Sequence, residues 1–361
     1  MQNLNLLLKP ASGSCNLKCG YCFYADVLSN RHVGNFGMMR RGSAETLIGK
    51  ALNEAKQVLF GFQGGEPTLW GLERFRFFTE TVDRLNTGCV DVTYTLQTNG
   101  TLLNDDWAAF FRERGFLIGL SLDGYRQLHE MNRPGSYSGA MRAAALLKKH
   151  NVEFNILSVV TAASAQNVEK LYSFYKSQGF QFLQFIPCID NFGSPKTTLT
   201  PPQYGRFLKA LFDLWYRDLT AGRGFSVRYF DNIVDMLLGY PPEQCSMNGT
   251  CSIQCVVESD GGVYPCDFYV LDQWKLGNIH RDSFDAMISS DTAKRFIAES
   301  KPVPAACAAC RWQRLCHCGC KRDREPLLAG RPSANRFCQA YQDFFDYSYE
   351  RFMKLCMYLS R

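Results

Sequence analysis

The sequence predicts an α/β chain in two parts: an incomplete parallel (β/α)6 barrel over residues 1–240, then a small cysteine-rich domain over 241–361 with a short β-hairpin and helices. Three observations carry this. Apolar, β-branched runs alternate with amphipathic helical stretches through the first two-thirds of the chain. The alternation stops after Tyr240-Pro241-Pro242. Beyond that point the elements shorten and cysteines become dense.

The predicted strands are Leu4–Leu8, Val58–Phe62, Val92–Gln97, Leu117–Leu122, Phe154–Val160 and Phe182–Ile186. The predicted helices between them lie near Ala44–Lys56, Leu72–Leu85, Asp105–Arg114, Gly139–His150 and Asn167–Gln178. Strand and helix in this spacing imply a parallel sheet with crossover helices. Six units are too few for the eight of a closed barrel. A polar, Pro-containing stretch runs from Asp190 to Pro202, and an apolar helix follows from about Tyr204 to Leu219. Asp260-Gly261-Gly262 reads as a hairpin turn between Val256–Ser259 and Val263–Pro265. An aromatic-rich helix closes the chain from about Gln339 to Tyr358.

The composition is globular, with 46% hydrophobic and 20% charged residues among 361. The net charge of +6 is spread along the chain, and runs such as Lys321-Arg322-Asp323-Arg324-Glu325 mix both signs. This is the pattern of a solvated face and not of a nucleic-acid surface. The start carries no basic region or cleavage site of a secretory signal. No run approaches the roughly 20 apolar residues that span a bilayer. A cytoplasmic protein without a membrane partner is expected.

The sixteen cysteines are the outlier, and in a cytosolic chain they point to metal before disulfides. Cys15, Cys19 and Cys22 form C-x3-C-x2-C just after the first strand. Three thiolates leave one iron of a [4Fe–4S] cube open, which is what a chelating small molecule needs. A structural zinc site or an electron-carrying cluster would normally have four protein ligands. A zinc knuckle remains the alternative.

The surroundings of this motif resemble the radical S-adenosylmethionine (AdoMet) superfamily. Tyr21 precedes the third cysteine, as an aromatic does in that family, and Gln63-Gly64-Gly65-Glu66-Pro67 resembles its GGEP motif. The resemblance implies that backbone near Gly65 binds the methionine amino group of AdoMet. It further implies that Ser121 and Arg133 suit the ribose and carboxylate, and that Ile189 packs near the adenine. The polar candidates Gln97–Gly100, Ser121–Gly124 and Ile186–Ile189 fall where strands end, the face on which parallel barrels do their chemistry. Turn chemistry for Asn99-Gly100 and Asp123-Gly124, and core packing for Ile189, are the alternatives.

Past residue 240, Cys245, Cys251 and Cys266 are followed by Cys307, Cys310, Cys316, Cys320 and Cys338. This spacing resembles the SPASM domain of radical AdoMet proteins. The resemblance implies one auxiliary [4Fe–4S] cluster on Cys245, Cys251, Cys266 and Cys320. A second would take Cys307, Cys310, Cys316 and Cys338. Both would be closed, fit for electron transfer. Zinc is the alternative for these eight. Cys89, Cys188, Cys255, Cys318 and Cys356 read as buried hydrophobes, although Cys255 and Cys318 lie close enough to the ligands to replace one.

Lys9-Pro10-Ala11, Asn16–Cys19, Cys22–Tyr24, Gln63–Leu69, Leu96–Thr101, Val256–Gly261 and Tyr264–Val270 together are similar to anaerobic sulfatase-maturating enzymes, over nearly the whole chain. That family implies three [4Fe–4S] clusters and AdoMet. It implies oxidation of one Cys or Ser side chain of a sulfatase to Cα-formylglycine, through abstraction of a Cβ hydrogen by a 5′-deoxyadenosyl radical. The implied partners are an unfolded or nascent sulfatase polypeptide and an electron donor such as a flavodoxin or ferredoxin. Asp267, next to Cys266, becomes the candidate base for the thiol or hydroxyl proton; a turn carboxylate is the other reading. The competing functions are another SPASM peptide maturase that forms thioether or carbon–carbon links, and a non-enzymatic iron–sulfur electron carrier.

Overall fold

A computed structural model of the chain describes residues 1–192, 198–325 and 332–359. The polar stretch predicted from Asp190 to Pro202 therefore lies partly, at 193–197, outside the described residues. The chain forms two compact units: Met1–Leu122 with His129–Asn155 and Ile253–Phe296, and Asp123–Leu128 with Ile156–Ser252 and Ile297–Arg361. Compactness thus groups residues differently from a division near residue 240.

In the first unit, strands β1 (Asn3–Lys9), β2 (Gln57–Phe62), β3 (Asp91–Thr98) and β4 (Phe116–Ser121) lie in that order and are parallel. The register sets Leu8 opposite Phe62, Phe62 opposite Leu96 and Leu96 opposite Ile118. The residues just past each strand therefore share one edge. Leu4, Leu6 and Leu8 bury one face of β1, and Val58, Phe60 and Phe62 do so on β2. The helices of this unit include α1 (Phe23–Ser29), α2 (Arg41–Glu54), α3 (Leu72–Leu85) and α4 (Asp105–Arg114), the last with Phe110 and Phe111 on Phe116 of β4. Phe75 and Phe78 of α3 meet Phe62 at ring-centroid distances of 4.8 and 5.2 Å. Asn104 caps α4 by accepting the Trp107 N–H, and Gly115 ends it in the left-handed conformation.

Three later strands extend the other edge of this sheet. With β7 reserved for the short strand Ser226–Val227 of the second unit, these are β8 (Val256–Glu258), β9 (Gly262–Tyr264) and β10 (Gly277–Asn278). Strand β8 runs parallel to β1, with Glu258 opposite Lys9. The hairpin read from Asp260-Gly261-Gly262 is present, with Val257 opposite Val263. It pairs with the first strand of the chain, so the segment that leads into Cys266 is built onto β1.

In the second unit, β5 (Phe154–Val160), β6 (Phe182–Pro187) and β7 are parallel in that order. Two long helices, Pro201–Thr220 and Cys338–Leu359, pack closely, because a side chain at Gly205 would meet Ala340 Cα at 3.3 Å. Phe212, Trp215, Phe230 and Phe352 interlock beside them. Helix Arg228–Leu237, which the sequence reading did not pick out, follows β7 directly.

Asp231, in the first turn of that helix, accepts the Ser226 hydroxyl. Burial pushes its carboxyl up to about 6, opposed by Ser226 and helped by Asp235 and Glu243. A folded-state value above the unfolded one gives a stabilisation present below about pH 4 and lost as pH rises through 6. Asp231→Asn is therefore expected to be more stable than the parent above pH 6, by about 1–3 kcal/mol. The Tm difference should vanish near pH 4; a difference independent of pH would refute the assignment.

Candidate active site

Cys15, Cys19 and Cys22 lie between β1 and α1, with Cys22 at the N-cap position of the helix. The Leu17 N–H donates to Cys15 Sγ at 3.4 Å. Cys15 keeps an open surface, yet enough protein surrounds its thiol to push it up to about 11. The Leu17 N–H opposes this, and the charges of Glu66, Cys19 and Cys22 add to it. Three thiolates carried on one loop would need a compensating cation, as iron supplies.

The Gly64–Glu66 segment threads against this loop. The Gly65 N–H donates to the Ser12 carbonyl at 2.9 Å and the Glu66 N–H to the Ser14 carbonyl at 2.8 Å. With those donors used, the segment can offer an ammonium group its carbonyl oxygens. Gly64 has φ +127°, and a side chain on Gly65 would run into the Ser14 carbonyl. Gly65→Ala is expected to lower stability by about 1–3 kcal/mol and to weaken AdoMet binding. Calorimetry and equilibrium dialysis check this, and parent-like values in both would show that the two loops do not interlock. Glu66 is a fully buried staple. It accepts Thr68 Oγ1 at 2.6 Å, Thr98 Oγ1 at 2.7 Å and the Asn99 N–H at 2.8 Å, fixing the loop to the end of β3. Burial raises its carboxyl, and these hydrogen bonds oppose the rise.

Of the remaining expected AdoMet contacts, Tyr21, Ser121 and Arg133 belong to the first unit. Arg133 Nε donates to the Tyr21 hydroxyl at 2.6 Å, and its Nη1 lies 3.7 Å from Cys19 Sγ. Tyr21, Arg133 and Cys19 are therefore brought together. Asn16 of the same loop bonds Asn99 at 2.9 Å and Thr101 at 2.8 Å. Ser121 ends β4 on the edge that carries these groups. Ile189 belongs to the second unit, just past β6. Its neighbour Asp190 is held by Arg336 Nη1 at 2.5 Å, and the Asp190 carbonyl accepts Arg322 Nη2 at 2.7 Å.

Asp267 sits in the first unit within a buried polar group that sequence reasoning did not foresee. Lys9 Nζ donates to its Oδ1, and Gln63 Nε2 donates to Oδ2 at 2.8 Å. Lys9 is fully buried, with its ammonium 3.9 Å from the centre of the Tyr24 ring. The Tyr24 hydroxyl donates to Glu258 Oε1, which also takes Arg31 Nη1 at 2.8 Å. Burial and then the Glu258 charge raise Tyr24 well above the ordinary phenol range, so it stays a donor. A lysine ending an apolar strand was the one signal for this group. Its side chain must find a counter-charge where the strand is buried on both faces.

In the second unit, Cys307, Cys310, Cys316, Cys318 and Cys338 line one cavity, with Trp312, Tyr341 and Phe345. Cysteine thiolates grouped in this way are the ligands a cube of iron and sulfide takes from protein. Among the described residues, no group of three or more His, Cys, Asp or Glu side chains converges as one ion would require. Cys245, Cys251 and Cys320 form a second neighbourhood: burial pushes Cys320 well above the ordinary thiol range, Asp323 adds to this, and so do Cys251 and Cys245. Cys266 belongs to the first unit. Cys255 is buried, and its carbonyl accepts the Leu7 N–H at 3.2 Å beside β1.

The Radical SAM superfamily profile matches residues 10–174, and that of SPASM, an iron–sulfur cluster-binding domain, matches 245–311. Fold and site together define a radical AdoMet enzyme with an auxiliary iron–sulfur domain, using [4Fe–4S] clusters and AdoMet. A cysteine-type anaerobic sulfatase-maturating enzyme of Clostridium novyi is 45% identical over 356 residues, covering 96% of this chain and 95% of that protein. A serine-type enzyme of Bacteroides thetaiotaomicron is 30% identical over 381 residues, covering 97% and 91%. A solved structure, native anSMEcpe with bound AdoMet and Cp18Cys peptide, matches with a TM-score of 0.95 at 43% identity, over 99% of both chains. The chain belongs to the anaerobic sulfatase-maturating enzyme family. The expected fold, a partial radical-AdoMet barrel followed by a SPASM domain, is the fold of that family. No helix among the described residues is long and apolar enough to cross a membrane.

Proposed function

We propose that this chain oxidises a cysteine side chain in an unfolded or nascent sulfatase polypeptide to Cα-formylglycine. Asp267 is the base, and the carrying observation is its aim: a carboxylate fixed through both oxygens by Lys9 and Gln63, one residue from the ligand Cys266. Cysteine is favoured over serine because the cysteine-type relative is 45% identical and the serine-type one 30%.

Cys15, Cys19 and Cys22 would hold the cluster that binds AdoMet, which when bound would supply a radical able to take a Cβ hydrogen atom. This chain's residues do the rest. Gly65, Tyr21, Arg133, Ser121 and Ile189 would hold the AdoMet. Asp267 accepts the thiol proton as one electron leaves, so the side chain loses two hydrogens in all and becomes a thioaldehyde. Water then replaces sulfur, releasing hydrogen sulfide and leaving the aldehyde. Cys245, Cys251, Cys266 and Cys320 would hold one auxiliary cluster and Cys307, Cys310, Cys316 and Cys338 the other, and such clusters when bound would supply an acceptor for that electron. Residues 1–240 serve as the AdoMet part and 241–361 as the electron-accepting part. A cytoplasmic flavodoxin or ferredoxin is the reductant.

The test is anaerobic incubation of the reconstituted protein with AdoMet, reductant and a peptide containing Cys-x-Pro-x-Arg, read by mass. Replacement of SH and H by a carbonyl oxygen is expected. A cross-linked product, or an unaltered peptide beside consumed AdoMet, would refute the reading. Reconstituted protein should hold about twelve iron, four per cube.

A further inference from the structure

The run Lys321-Arg322-Asp323-Arg324-Glu325, whose mixed signs suggest a solvated face, is largely turned inward: Lys321, Asp323 and Arg324 are buried. It forms a short 3₁₀ helix, Lys321–Arg324, that starts directly at Cys320, whose Sγ accepts the Arg322 N–H at 3.4 Å. Arg324 ends that helix and is 1% exposed. A cation so placed needs an anion within reach, because burial takes its hydration away.

Among the described residues no carboxylate supplies that anion. Glu299 and Glu325 pair with Lys321 at 3.3 and 3.7 Å, and Asp323 pairs with Arg336 at 3.2 Å. Arg324 meets only backbone carbonyls: its Nη2 donates to that of Ser300 at 2.6 Å and its Nη1 to that of Pro302 at 3.4 Å. Its Nε is buried with no hydrogen-bond partner. The same Ser300 reaches a cysteine, since its Oγ accepts the Cys251 N–H at 2.9 Å. Arg324 is therefore joined to Cys251 through one residue, and to Cys320 through one short helix. Burial raises the Cys251 thiol; Ser300 opposes the rise, and so do the charges of Lys321 and Arg324.

We propose that Arg324 is the counter-charge of the auxiliary cluster held by Cys251 and Cys320, and that it raises that cluster's reduction potential. The inference rests on the reading of these cysteines as cluster ligands. An iron–sulfur cube on cysteine thiolates is an anion, and it becomes more negative when it takes an electron. A cation fixed nearby, away from water, stabilises the more negative form more. One electron is gained by the cluster, and Arg324 neither gains nor loses a proton. Arg324 thereby makes the cluster a readier acceptor for the electron that leaves the substrate side chain.

The experiment is a redox titration of the anaerobically reconstituted full chain, followed by electron paramagnetic resonance. Signals that do not change when AdoMet is added belong to the auxiliary clusters. Arg324→Gln keeps a donor for the Ser300 carbonyl but loses the charge, whereas Arg324→Lys keeps both. Arg324→Gln should make reduction of one auxiliary cluster at least about tenfold less favourable, a fall of about 59 mV or more, with about twelve iron still bound. Arg324→Lys should titrate close to the parent. A parent holding fewer than about twelve iron would overturn the cluster reading itself, separately from the role of Arg324. A parent-like potential in Arg324→Gln would overturn the proposal. So would an Arg324→Lys potential that falls as far as that of Arg324→Gln, because shape and not charge would then be at work. If Arg324→Gln does not fold, Arg324→Met, neutral and suited to a buried place, gives the same reading. If neither neutral variant keeps the cluster, Arg324→Lys decides: about twelve iron supports the proposal and about eight overturns it.

Discussion

Asp267→Asn is expected to reduce formylglycine formation by about a hundred- to ten-thousand-fold, the range in which a positioned base acts, with iron content at the parent level. The amide has the size of the carboxylate, so packing is preserved. Its chemistry is not. Asp267 presents two acceptor oxygens, one to Lys9 and one to Gln63. Asparagine can satisfy one of those donors and must point its own N–H2 at the other. It also cannot take a proton from the substrate thiol. The buried Lys9 loses its counter-charge but keeps the face of Tyr24, at 3.9 Å, so local order should survive. Mass analysis of the peptide reads product, and iron analysis shows that Cys266 next door still binds. Product at near-parent yield would remove Asp267 from the role of base.

Cys15→Ala should end AdoMet cleavage, with no 5′-deoxyadenosine formed, and iron should fall from about twelve to about eight. Two thiolates cannot hold a cube that already leaves one iron open for a chelating ligand. The Leu17 N–H that now donates to Cys15 Sγ at 3.4 Å would lose its acceptor, and the segment threaded under Gly65 would loosen with it. The eight cysteines assigned to the auxiliary clusters are untouched, so their absorbance should persist. Continued 5′-deoxyadenosine release would show that the AdoMet cluster is held elsewhere.

Much of this arrangement was legible before any coordinates. Leu72–Leu85 and Asp105–Arg114 appear with the bounds that their apolar periodicity predicts, because amphipathic spacing is a local property. The six expected strands agree to within a residue or so at each end. The cysteine spacings likewise need no fold to be read. What stayed hidden was pairing at long range. Lys9 and Asp267 are 258 residues apart, and Tyr24 and Glu258 are 234 apart. No local pattern announces such partners, since a buried lysine and a surface lysine look alike in one sequence. The same limit explains why β8 was read as one arm of a hairpin without its parallel neighbour β1. Helix Phe23–Ser29 was missed for another reason: at seven residues it is too short for periodicity to declare itself.

The buried group around Asp267 has a bearing on redesign. Lys9 and Arg31 are its cations, Asp267 and Glu258 its anions, and the four offset one another around Tyr24. Groups sharing partners so closely do not respond additively to substitution. Changing Glu258 alone would take the counter-charge from Arg31, and changing Lys9 alone would take it from Asp267. An engineer seeking an enzyme that oxidises a new side chain should treat these residues as one inherited block, exchanged together or left alone. A natural lineage drifting at one of them should show the matching change at another.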